Sequence, residues 1–230
     1  MSETVELIAA DGARIPAYVA RPAGKPKGAL VVVQEIFGVN PHICAVADGF
    51  ARDGYLAVAP HIFHRVQPGV DLRYDAQDIA TGFGYKQKVD ALPAPGVLQD
   101  LQAAIDYAAR AGGGKTGIVG YCWGGLLAWR AACGLNGLAA AVTYYGGGMT
   151  TVAEEVARQP KVPVLSHFAE RDQHIPVSSV EAFQKQHPDI PVHLYAADHG
   201  FNCDLRGAWN PEAAKLARER TLAFFGKHVG

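Results

Sequence analysis

The stretch "GIVGYCWGG", Gly117 to Gly125, decides how this chain is read. An apolar run ends in a turn bounded by small residues, with Cys122 at its centre and glycines two places to either side, Gly120 and Gly124. A strand running into such a turn, followed by an apolar helix, lifts the central side chain above a sheet. The glycines leave room for a tight turn and for close packing of the following helix. A thiol raised in this way is placed to act as a nucleophile.

The neighbouring segments supply the sheet. "TVELIAA" and "ARIPAYVARP" flank Asp11-Gly12, which reads as a two-residue hairpin. "GALVVVQEIFG" and "YLAVAP" are continuous apolar runs, as expected of strands buried on both faces. A helix is predicted from Asn40-Pro41 to about Arg52. Segment 61–96, with scattered glycines and prolines, reads as an irregular excursion over the sheet edge. Regular alternation resumes at "GVLQDLQAAIDYAARAGG" and runs through strands "KTGIVGY", "LAAAVTYYGG", "VPVLSHFAE" and "VHLYAAD" to the closing helix "PEAAKLARERTLAFFGKH". Strands alternating with helices predict an α/β fold with a mainly parallel central sheet, helices on both faces and an N-terminal antiparallel hairpin. With no repeat or linker to divide it, residues 1–230 read as one domain.

Composition narrows the function. The chain is 49% hydrophobic and 19% charged, with a formal net charge of −1 and no basic stripe. That argues against nucleic acid or an anionic membrane as partner. "MSETVELIAADGARIP" carries acids and no apolar core of a signal sequence, which predicts a cytoplasmic protein. The four cysteines, Cys44, Cys122, Cys133 and Cys203, lack paired spacing, and the histidines lack metal-binding spacing. Neither a disulfide framework nor a metal site is expected.

Three strand ends carry reactive groups in a telling order: Cys122, then Asp172 in "AERDQHIP", then His199 in "ADHGF". Nucleophile, acid, histidine is a known chain order for a catalytic triad. The imidazole would take the thiol proton, and the carboxylate would fix its tautomer and balance its charge. The backbone N–H groups of Trp123 and Ile36 are candidates for an oxyanion hole. Glu35, ending an apolar strand, needs a partner if it is buried.

"QEIFG", "GYCWGG", "ERD" and "DHGF", in this order, resemble the dienelactone hydrolase family (carboxymethylenebutenolidases) of the α/β-hydrolase superfamily. The closing "ARERTLAFF" helix extends the likeness over nearly the whole chain. The resemblance implies hydrolysis of a lactone or activated ester by a Cys122–His199–Asp172 triad without a cofactor. It also implies that Glu35 meets the resting thiol and removes its proton when substrate binds. Such enzymes grip a substrate carboxylate with arginines, one of them four residues after the histidine; here that position is Cys203. Arg206, Arg65 and Arg73 are the remaining candidates for that role. The substrate would be a small molecule and the protein a monomer or small homo-oligomer. A broad carboxylesterase or thioesterase of the same fold is the near alternative, and a non-catalytic binding module the distant one.

Overall fold

The computed structural model describes residues 2–230. It opens with β1 (Ser2–Ile8) antiparallel to β2 (Arg14–Ala20). The turn between them is longer than the two residues expected from Asp11-Gly12. The Ala9 N–H donates to the Ala13 carbonyl and the Gly12 N–H to the Ala9 carbonyl, both at 2.9 Å, with Gly12 at φ +83°. Residues 10–12 thus form a three-residue loop whose last position needs the left-handed backbone that glycine adopts without strain.

The chain continues through β3 (Ala29–Val33), α1 (Pro41–Arg52), β4 (Leu56–Pro60), a 3-10 turn (Ile62–Arg65), α2 (Ala76–Asp90), α3 (Leu98–Gly112) and β5 (Thr116–Tyr121). It then forms α4 (Trp123–Gly134), β6 (Leu138–Tyr144), α5 (Ala153–Val156), β7 (Val164–Ala169), α6 (Val177–Gln186), β8 (Val192–Tyr195) and α7 (Pro211–His228). The strands make one sheet in the order β1-β2-β4-β3-β5-β6-β7-β8. β2 runs antiparallel to both its neighbours, and every pairing from β4 to β8 is parallel. Helices pack on both sides of this sheet, the α/β-hydrolase arrangement. Among the described residues no helix is long and apolar enough to cross a membrane.

Burial explains the valine-rich runs: β3, β4 and β5 are buried at every position. The winding reverses at β3, which has β4 on one side and β5 on the other. Such a switch point opens a crevice beyond the carboxyl ends of the two strands. Glu35 and Ile36 follow β3, and Cys122 follows β5, so both segments lead into that crevice.

Segment 61–96 is more regular than expected, because it contains the 15-residue α2. The Asp75 carboxylate caps it by accepting from the Asp78 N–H at 2.9 Å. Only Gly82 and Val89 of this helix are buried, so its sequence shows little apolar periodicity. Gly82 is the contact point: a Cβ there would stand 2.2 Å from the Ile36 carbonyl oxygen. The residue that weakens the helical signal is the one that lets α2 lie on the loop after β3.

Candidate active site

Cys122 sits between β5 and α4 with φ +54° and ψ −122°, a backbone that costs a non-glycine residue about 1–3 kcal/mol. Its N–H donates to the Tyr144 carbonyl at 3.0 Å, and its carbonyl accepts from the Gly125 N–H at 2.9 Å. The flanking glycines are steric requirements. A Cβ at Gly120 would lie 1.9 Å from the Gly124 carbonyl oxygen, and one at Gly124 would lie 2.3 Å from the Gln34 carbonyl oxygen. Trp123, the first residue of α4, anchors the turn by stacking on Phe63, with ring centroids 5.2 Å apart.

The structure brings Cys122, His199 and Asp172 together. The Cys122 Sγ lies 3.1 Å from His199 Nε2, and His199 Nδ1 lies 2.7 Å from Asp172 Oδ2. Asp172 is fixed through its other oxygen, which accepts the N–H groups of His174 at 2.8 Å and Ile175 at 3.2 Å. The imidazole is held edgewise by the rings of Tyr145 and His174, at 5.0 and 5.3 Å. Burial pulls the His199 pKa down, but the charges of Cys122 and Asp172 outweigh it and push it up to about 10. Burial raises the Asp172 pKa; the hydrogen bond and charge of His199 more than compensate and leave it below the usual carboxylate value. This arrangement favours a proton on His199 opposite an ionised Asp172.

Of the oxyanion-hole candidates, Trp123 follows Cys122 directly, and Ile36 lies two residues after Gln34, whose carbonyl oxygen packs against Gly124. The Ile36 N–H has no protein hydrogen-bond partner among the described residues. Trp123 opens α4, where the first N–H groups have no intrahelical acceptor. Gln34 braces the loop carrying Ile36, its side chain donating to the Glu35 carbonyl and accepting the Ile62 N–H, both at 3.2 Å.

Glu35 is buried, but its recorded partner is Arg206 rather than the thiol: Arg206 Nη1 donates to Glu35 Oε1 at 3.1 Å. Arg206 reaches it through successive turns. The Cys203 N–H bonds the Gly200 carbonyl, the Arg206 N–H bonds the Cys203 carbonyl, and the Trp209 N–H bonds the Arg206 carbonyl. The guanidinium therefore folds back over Gly200, where a Cβ would stand 2.5 Å from Arg206 Nη1. It also lies over the rings of Phe37 and Tyr74, at 5.6 and 5.8 Å. Cys203, at the position where the family resemblance calls for an arginine, is buried within this turn.

A cavity of about 880 Å³ lies beside Arg206, Arg73, Tyr74, Asn40 and Asp71. None of the three residues around the thiol lines it, so Arg206 is the link between that cavity and Glu35. Arg65, the third arginine considered for substrate binding, is engaged elsewhere. Its guanidinium is bonded to Asp11 in the first hairpin loop and to the fully buried Asp100 of α3. A buried carboxylate needs such a counter-charge, which assigns Arg65 to the scaffold. Sequence reading missed His42, whose Nδ1 lies 3.2 Å from Asp204 Oδ1, and the Tyr145 clamp on His199. Neither belongs to a local motif.

Comparison with known proteins agrees with this architecture. A family model described as "Dienelactone hydrolase family" matches residues 15–229. A protein of Azospirillum brasilense named "Putative carboxymethylenebutenolidase" is 36% identical, covering 98% of this chain and 99% of its own. A crystal structure titled as a "Putative Dienelactone Hydrolase" from Klebsiella pneumoniae subsp. pneumoniae superposes with TM-score 0.85 at 32% identity, covering 99% of both chains. At 22% identity and TM-score 0.79, a "Dienelactone Hydrolase-like Promiscuous Phospotriesterase" from metagenomic libraries shares the fold. By sequence over almost its full length, and by structure, the chain belongs to the dienelactone hydrolase family and is a hydrolase.

Proposed function

We propose that the protein hydrolyses a small lactone or activated carboxylic ester through Cys122, His199 and Asp172, with a thioester acyl-enzyme as intermediate. The observation that carries this reading is His199 spanning the Cys122 Sγ at 3.1 Å and the Asp172 carboxylate at 2.7 Å. In the proposed sequence His199 takes the Cys122 proton and the thiolate attacks the ester carbonyl. The Ile36 and Trp123 N–H groups stabilise the oxyanion. The C–O bond then breaks, His199 gives its proton to the departing oxygen, and a thioester to Cys122 remains. Water, deprotonated by His199, attacks the thioester and releases the acid and the thiol. A stabilised leaving group such as an enolate suits this route, because a poor one would be outcompeted by expulsion of the thiolate.

Glu35 enters as a second proton acceptor for the thiol, held away from it by Arg206 until substrate binds. Arg206 then has two possible partners, Glu35 and an anionic substrate. The ion pair at 3.1 Å also supports a second reading, a carboxylesterase for neutral esters, because the guanidinium charge is already balanced. Two measurements separate these ideas. Mass spectrometry of a quenched reaction with an activated aryl ester should find an acyl group on Cys122 and none in Cys122→Ala; a full rate in Cys122→Ala overturns the mechanism. Comparing kcat/KM for neutral and carboxylate-bearing lactones in wild type, Arg206→Ala and Arg73→Ala tests the substrate. A loss of about 10- to 100-fold confined to the anion supports the clamp, and equal losses favour the neutral-ester reading.

A further inference from the structure

One donor atom from each of Glu35, His42 and Cys203 lies within 4.8 Å of the others, and all three residues are buried. Their hydrogen bonding is incomplete. Glu35 Oε2 and His42 Nε2 are buried without a partner, while Glu35 Oε1 is taken by Arg206 and His42 Nδ1 by Asp204. From this geometry we propose that Glu35, His42 and Cys203 form a binding site for a thiophilic divalent cation, zinc in the first instance. Its sulfur is that of Cys203 rather than Cys122, but it shares Glu35 with the proposed chemistry, so a bound cation would take Glu35 out of proton transfer from the Cys122 thiol.

The donor set is one that zinc favours: a thiolate, an imidazole and a carboxylate. Glu35, the Cys203 thiolate and Asp204 together supply three negative charges against the two of the cation and the one of Arg206, and the thiol proton passes to solvent as the Zn–S bond forms. Ligand distances of about 2.0–2.3 Å at tetrahedral angles place neighbouring donors about 3.3–3.8 Å apart. Closing from 4.8 Å therefore asks for side-chain adjustment and no rearrangement of the fold. A fourth position stays open for water.

The outer contacts also suit a metal. A ligating histidine commonly donates its other N–H to a carboxylate, which fixes the tautomer and orients the ring. Asp204 stands in that place on His42 Nδ1, leaving Nε2 to ligate. Arg206 steadies the other oxygen of Glu35. Tyr74, beside Cys203, is itself held by Asn40 Nδ2 at 2.9 Å. A buried water would satisfy the oxygen and nitrogen alone; the thiol in the same set favours a cation. The three residues come from the loop after β3, from α1 and from the turn after His199, so no local spacing announces them.

The test removes the competing thiol first. Full-length Cys122→Ala, stripped with chelator and given zinc, should retain one zinc per chain after desalting, measured by elemental mass spectrometry. Its cobalt form should show thiolate-to-metal charge transfer. Cys203→Ala and His42→Gln, each added to Cys122→Ala, should lose the metal and that band. Asp204 is largely exposed, so Asp204→Asn is expected to fold even where the buried variants do not. It should weaken zinc binding by about 10- to 100-fold. Failure of Cys122→Ala to retain zinc, or undiminished affinity in the folded Asp204→Asn or Cys203→Ala variants, overturns the proposal.

Discussion

Among the described residues, two groups of cysteine, histidine and carboxylate stand out, and they are built differently. Around Cys122 every link is made: Sγ to His199 at 3.1 Å, His199 to Asp172 at 2.7 Å, and Asp172 to two backbone N–H groups. Around Cys203, Glu35 Oε2 and His42 Nε2 have no partner, and the thiol is fully buried. Cys122 is partly exposed on a strained turn, with a helix N-terminus behind it. Residue types alone therefore do not make a triad. The first group sets its cysteine on a projecting backbone with a histidine in line and leaves it partly exposed, whereas Cys203 is fully buried.

The comparison breaks most directly at the sulfur atoms. Cys122→Ala should reduce kcat on an activated aryl ester by about 10⁴-fold or more, as removal of a triad nucleophile does elsewhere. Cys203→Ala should cost less than about tenfold, through small shifts in the turn that carries Arg206. Comparable losses in the two variants would make the second group part of the chemistry. Asp172→Asn follows, with an expected loss of about 10³- to 10⁴-fold in kcat, because the amide no longer stabilises the imidazolium. A loss below tenfold would remove Asp172 from the proposed mechanism.

These two groups also differ in how far the sequence revealed them. The turn at Cys122 is announced by Gly120 and Gly124 a few residues apart, and the chain order of Cys122, Asp172 and His199 follows from strand alternation. Both are local or topological signals. Arg206 is seven residues from His199 and reaches Glu35 only because three turns stack after Gly200, which no motif encodes. His42 and Cys203 meet across 161 positions of chain through tertiary packing alone. Helix α2 was hidden by the glycine that its contact with Ile36 requires. The hairpin was recognised at Asp11-Gly12, but its loop length depended on which strand residues paired.

Arg65 offers a smaller test, because its charge is spent on the scaffold. Arg65→Ala leaves Asp100 as an unpaired buried carboxylate and should destabilise the fold by about 3 kcal/mol in urea denaturation. The ratio of kcat/KM for anionic over neutral esters should stay as in wild type. A selective loss on anionic esters would return Arg65 to the substrate site.

The finest distinction is electrostatic. His199 is pushed up to about 10 by Cys122 and Asp172 against the opposing effect of burial. A histidine raised above its unfolded value of about 6.5 contributes stability that is fully present below that pH. This contribution fades as pH rises through about 10. Cys122→Ala removes one of the two charges but leaves Asp172 in place, so the His199 midpoint should fall while remaining sensitive to Asp172→Asn. Proton NMR of the imidazole across pH 5–11 reads the midpoint directly. The difference in melting temperature between wild type and Cys122→Ala should change over the same upper part of that range. An unmoved midpoint would mean that Asp172 alone sets the charge of His199, and that the thiol is a neighbour of the imidazole rather than its ion-pair partner.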